Sequence, residues 1–230
     1  MKIGLFGGAF NPPHRCHLAI AAQTRDRLHL NRIVFIPSGD PPHKGPESLA
    51  PAEHRLAMVR RAIAGDPSFT LSEVETRRTA KSYTIETVGV FRREYGPDAE
   101  LFFLIGLDAF LDLPNWRQPE ELLRACHFVV VSRPGHVFHT LLDLSLLPPI
   151  APTALAALDA GRQDRLDVPL PGGTALIFLR LPPCEVSASD IRARLRKRLS
   201  VAGLLPVGVE SYILQANLYR EETDRTGVQG

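Results

Sequence analysis

An α/β fold, with a mainly parallel sheet and helices on both faces, is the class this chain predicts. Two observations predict it: short apolar runs suited to buried strands recur along the chain, and stretches of helical periodicity fill the gaps between them. Such alternation builds a parallel sheet through right-handed crossovers, with ligands bound at the carboxyl ends of the strands. A third observation agrees: the segments that follow the strand candidates, 7–13, 37–44, 75–83, 106–116 and 133–136, are rich in polar or glycine residues and would meet at one rim.

Residues 2–6 are the first strand candidate, and they run into GGAFNPPHRCH, residues 7–17, from which a helical pattern extends over 14–30. Strand, glycine turn and helix is the layout of a phosphate site. Paired glycines (Gly7, Gly8) let backbone approach a ligand, and the positive end of the next helix favours an anion. Asn11 is a suitable N-cap, and Pro12 and Pro13 carry a preset φ for a first turn. His14 and His17, three apart, share one helical face and present imidazole donors to an anion. Two ordinary surface histidines, or two zinc ligands, are the other readings, although no Cys/His/carboxylate cluster elsewhere completes a tetrahedron.

Further strands are predicted at 32–37, 69–74, 101–105, 128–132 and 175–179, and further helices at 52–64, 84–95, 119–125, 189–199 and 207–219. Residues 135–173, rich in Leu, Ala and Pro with one short helix near 153–160, read as a surface insertion within a single domain spanning 1–230. The tail after Arg220 is polar and expected to fray.

Composition bounds the function. The 230 residues are 44% hydrophobic and 23% charged with a net charge of +2, an ordinary globular balance that argues against a nucleic-acid partner or a polybasic membrane binder. Cys16, Cys126 and Cys184 are odd in number and lack CxxC spacing, which suits a reduced, cytoplasmic setting; Cys126 and Cys184 read as buried small residues. The apolar N-terminus stops at Phe10, too early for a signal peptide, and no stretch reaches the roughly 18 apolar residues of a membrane span. Gly4, Gly7 and Gly8 do not form GxGxxG, and no GxxxxGK[ST] loop is present, so the glycine turn serves another nucleotide design.

A second constellation lies at SASDIR, residues 187–192. Ser187 or Ser189 caps the helix that follows, and Arg192 projects near the same anion-friendly end. Capping alone accounts for the serines, and Arg192 opens a basic run (Arg194, Arg196, Lys197, Arg198) that reads mainly as solvated helix face.

Together the two segments resemble the (H/T)xGH and SxTxxR pair of the HxGH nucleotidyltransferases. The blocks between them narrow the resemblance to bacterial nicotinate-nucleotide adenylyltransferases: FIPSGDPPHK (35–44), HRLAMVR (54–60), SYTIET (82–87), LIGLDAF (104–110), LPNWRQPEEL (113–122) and VVVSRPG (129–135). The resemblance implies a Rossmann-like fold of the nucleotidyltransferase type, and transfer of AMP from ATP to nicotinate mononucleotide with release of pyrophosphate. It implies that His17 contacts the α-phosphate, that His14 and Arg192 hold the remaining phosphates, and that Gly7, Gly8, Phe10, Lys44, Ser187 and Ser189 border ATP. On the mononucleotide side it implies Tyr83 and Thr84 as donors to the carboxylate, Trp116 as the stacking aromatic and Asp108 as a pocket residue. Mg²⁺ is implied as a companion of ATP, held mainly by phosphate oxygens rather than protein ligands.

Two positions depart from the family pattern. Asn11 stands where many relatives have Asp, and Cys16 stands at the glycine of HxGH. A side chain there narrows the ATP site if it points inward and leaves it open if it points away; the expectation is that activity survives. Competing readings are a related adenylyltransferase acting on nicotinamide mononucleotide, phosphopantetheine or a flavin nucleotide, and a nucleotide-binding protein without turnover. A dehydrogenase is the third.

Overall fold

A computed structural model describes residues 1–39 and 49–220. Its centre is a sheet of seven strands: β1 (Lys2–Gly8), β2 (Arg32–Pro37), β3 (Phe69–Leu71), β4 (Glu100–Gly106), β5 (His127–Val131), β6 (Arg165–Pro169) and β7 (Ala175–Leu179). The order is β3-β2-β1-β4-β5-β7-β6, parallel throughout except for the antiparallel edge strand β6. Helices α1 (Arg15–Leu28), α2 (Ala52–Ile63), α3 (Thr84–Tyr95), α4 (Leu107–Phe110), α5 (Pro119–Ala125), α6 (Pro152–Asp159), α7 (Ala188–Arg196) and α8 (Val207–Gln215) complete the described elements, with 3₁₀ turns at Leu113–Asn115 and Phe138–Asp143.

The near-continuous apolar runs have a simple cause: the central strands are covered on both faces. Ile3 and Leu5, Val34 and Ile36, Leu101, Phe103 and Ile105, Phe128 and Val130, and Leu176 and Phe178 enter one core layer together with Val88 and Phe91 of α3. Their neighbours in sequence, Phe6, Ile33, Phe35, Phe102, Leu104, Val129, Ile177 and Leu179, enter the other with Ile20, Ala21 and Leu28 of α1 and Val59 and Ile63 of α2. Alternation of side chains along each strand thus feeds two layers at once. A third cluster joins Met58 of α2 to Ile191 and Leu195 of α7 and to Val209 and Ile213 of α8.

The differences from the sequence reading are local. β1 continues through Gly7 and Gly8, which pair in register with Ile36 and Pro37, so the two glycines are strand rather than turn. β3 stops at Leu71, three residues short of the expected end at Val74. β6 was not expected; its alternating half-exposed pattern reflects an edge strand with one covered face. α8 ends at Gln215, before the expected end at Tyr219. Among the described residues no helix is long and apolar enough to cross a membrane.

Candidate active site

The strand order reverses between β1 and β4, where crossovers depart in opposite directions and leave a crevice beyond the carboxyl ends. The β1–β4 ladder ends at Phe6 and Leu104, while the β1–β2 ladder runs on to Gly8 and Pro37. The β4 side of Gly7 and Gly8 therefore lies beyond the ladder, and both glycines line a cavity of about 1050 Å³. That cavity also takes in Phe10, His14, His17, Tyr83, Thr84, Asp108, Trp116, Ser187 and Arg192. Ser189 lies just outside the lining, its hydroxyl 2.9 Å from that of Ser187. Lys44 falls outside the described residues.

Helix α1 begins at Arg15 with His14, in extended geometry, as its N-cap. Asn11 does not cap it, contrary to expectation, because its side-chain oxygen is occupied by the Ala50 amide at 3.0 Å and the Tyr219 hydroxyl at 2.7 Å. Pro12 and Pro13 likewise precede the helix, and the Asn11–Pro12 bond is cis. The two imidazoles lie against each other at a tilt of 31°, with ring centroids 3.7 Å apart. The His14 amide donates to Nδ1 of His17 at 3.1 Å, which leaves the neutral His17 ring with its proton on Nε2. Burial, and after it the charge of Arg133, holds His14 down to about 4. Burial, His14 and Arg133 push His17 well below the usual histidine range. Both rings are therefore neutral N–H donors near neutral pH.

Across the cavity lining, Ser187 caps α7 by accepting from the Asp190 amide at 3.1 Å, and Arg192 donates to the Asn11 carbonyl at 2.7 Å. The two motifs read from sequence are thus bonded to each other. Arg55, only 2% exposed, braces the same turn from behind: its guanidinium donates to the carbonyls of Ala9, Ser38, Gly39 and Ala50. Tyr83 precedes α3 and Thr84 opens it, so the first amides of that helix, without intrahelical partners, border the cavity. Arg117 lies 4.7 Å over the Tyr83 ring and donates to Glu86 at 2.9 Å. Trp116 is partly buried, edge-on to Phe103 at 6.2 Å.

Sequence reasoning missed several lining residues, of which three bear on the chemistry of the site. Arg133 approaches Asp108 at 3.4 Å and bears on both histidines; its place just beyond β5, in a loop expected at the rim, was the available signal. Glu75, also in a rim loop, accepts from Thr87 at 2.8 Å, and burial raises its carboxyl. Cys184 had no signal. It is half-buried rather than a core residue and is disulfide-bonded to Cys16, 168 residues away, which corrects the expectation of three unpaired thiols. The Cys16 side chain is fully buried and absent from the cavity lining, so it points away from the cavity. Cys126 is buried as expected.

A mostly parallel sheet of this order, with a cavity at its reversal bordered by the N-termini of α1, α3 and α7, two imidazoles and Arg192, has the architecture of the nucleotidyltransferase class. In keeping with that, a family profile described as cytidylyltransferase-like matches residues 5–194. A relative from Pelobacter propionicus, named probable nicotinate-nucleotide adenylyltransferase, is 42% identical over 96% of this chain and 99% of its own length. One of the same name from Geobacter metallireducens is 39% identical, covering 96% of this chain and 100% of its own length. Among solved structures, a nicotinic acid mononucleotide adenylyltransferase of Plasmodium falciparum complexed with NaAD superposes with a TM-score of 0.71 at 17% identity, covering 95% of this chain and 97% of that one. The chain belongs to the nicotinate-nucleotide adenylyltransferase family.

Proposed function

We propose that this protein joins the 5′-phosphate of nicotinate mononucleotide to the α-phosphorus of ATP in line, forming deamido-NAD and releasing pyrophosphate. One observation carries the reading: a single cavity is lined both by the phosphate-binding pair, the His14/His17 turn and the α7 terminus with Arg192, and by the α3 terminus with Trp116. No side chain in it is needed as a nucleophile, because positioning and charge stabilisation suffice for such a transfer. His17 offers Nε2–H to the α-phosphate as charge develops there. His14 and Arg192 hold the β- and γ-phosphates that leave, with Ser187 and Ser189 adding donors, while Gly7, Gly8 and Phe10 border the nucleotide; Lys44 joins the phosphate contacts from its loop.

On the other substrate, the amides of Tyr83 and Thr84 receive the pyridine carboxylate, Trp116 stacks on the ring and Asp108 lines the ribose side. An acid is favoured over an amide, since a helix N-terminus supplies donors and positive potential but no acceptor. Magnesium enters with ATP as part of the substrate. The donors around the phosphates are imidazole and guanidinium N–H groups, which suit phosphate oxygens, so the ion takes its oxygen ligands from phosphate and water. The reaction is placed in the cytoplasm.

The test is an acceptor panel: purified protein, ATP and Mg²⁺ with nicotinate mononucleotide, nicotinamide mononucleotide, phosphopantetheine or a flavin nucleotide, followed by pyrophosphate release. Release is expected with the first and much less with the others. Nucleotide binding with no pyrophosphate from any acceptor would refute the proposal.

A further inference from the structure

We infer that Cys16 and Cys184 form a redox-sensitive covalent brace that positions the ATP-phosphate half of the site. Cys16 lies between His14 and His17, and Cys184 lies three residues before Ser187, the cap of the helix that carries Arg192. Their Cα atoms are 5.7 Å apart, so the bond joins the two halves of the phosphate site directly.

The segment that Cys184 belongs to has little else to hold it. Leu181 is fixed by its amide, which donates to the Ser132 hydroxyl at 2.9 Å, and Ser187 is fixed as the helix cap. Between them, residues 182–186 make no hydrogen bond among the described residues, and Val186 alone packs against the helical cluster. The disulfide is the anchor of this stretch. With the bond formed the cavity is open: His14, His17 and Arg192 line it and Cys16 does not. The oxidised protein is therefore the assembled one, and reduction frees residues 182–186 from α1, leaving α7 held, among the described residues, by the Arg192–Asn11 bond and by Ile191 and Leu195 in the helical cluster.

Chemically the switch is thiol–disulfide exchange with a small-molecule disulfide. Cys16 is fully buried and Cys184 is partly exposed, so Cys184 reacts first. Its thiolate attacks the oxidant, expelling one thiolate and leaving a mixed disulfide; the Cys16 thiolate then attacks the Cys184 sulfur and expels the second. Two protein thiols lose two protons and two electrons, and one external disulfide becomes two thiols. Cys126 takes no part: it is buried, and its thiol is pushed up to about 12 by that burial.

The inference rests on the adenylyl-transfer reading, and its test separates the two. Wild-type protein treated with oxidised glutathione or with dithiothreitol, its thiols counted by alkylation and mass, is assayed for kcat and for the KM of each substrate. Reduction is expected to raise KM for ATP roughly five- to tenfold, in the range of ordinary couplings between linked sites, with KM for nicotinate mononucleotide unchanged. Cys184→Ser and Cys16→Ser should each match the reduced protein and ignore dithiothreitol. Turnover with KM for ATP indifferent to a bond shown to be broken, an equal rise in both KM values, or failure of the bond to form would overturn the brace. Absence of pyrophosphate in either redox state would instead overturn the reading beneath it.

Discussion

Protonation of His14 is the perturbation that most directly probes how the phosphate site is held. The residue is 3% exposed, and its imidazole is lowered from 6.5 to about 4 by burial and by Arg133. Between those values the unfolded chain binds a proton that the folded one refuses, so stability falls as pH drops through that window and is fully present above it. Lowering pH from about 7.5 to about 5 should cost about 2 kcal/mol through His14 alone. The assay is urea unfolding of wild type and His14→Gln at both pH values, the quantity of interest being the difference between the two pH responses. Carboxylates and the other histidines contribute to both proteins alike, except that removing His14 also relieves His17, which enlarges the expected difference. Equal pH responses in the two proteins would refute the account of a neutral, buried imidazole.

Arg55→Met should lose about 3 kcal/mol by urea unfolding, because four carbonyls lose their charged donor in a buried site; a loss below about 1 kcal/mol would refute the bracing role. In Gly106→Ala a Cβ collides with Asp108 Oδ1 and comes within 2.7 Å of Arg133 Nε, so that pair must move. KM for nicotinate mononucleotide should rise roughly tenfold in steady-state kinetics, with KM for ATP nearly unchanged. Arg192→Ala should lower kcat by roughly 10²- to 10³-fold, with Arg192→Lys recovering part of it, as expected of a charge that meets leaving phosphates.

Much of the molecule was legible before any coordinates. Strands β1, β2, β4, β5 and β7 and helices α1, α2, α3 and α5 lie within a residue or two of where periodicity placed them, because burial on both sheet faces and amphipathic spacing are written into neighbouring residues. β6 escaped because a short edge strand with charged positions has no distinctive pattern. Most of the residues singled out by motif order line one cavity, and the loops that carry them were placed by the rule that ligands meet the carboxyl ends of parallel strands.

What the sequence determined by itself is therefore local: most of the strands and helices, and which loops meet at the carboxyl rim of the sheet. The tertiary structure decided what depends on closing long stretches of chain. Asn11 could be known as a partner of Ala50 and Tyr219, rather than a helix cap, only once those residues were brought to it. The depressed histidines required burial within the assembled site, to which Arg133 adds its charge from beyond the end of β5. Cys16, read from sequence as an awkward substitute for glycine, became a partner of Cys184 across 168 residues, since a pairing at that separation is set by the meeting of α1 with the segment before α7 and not by any spacing along the chain.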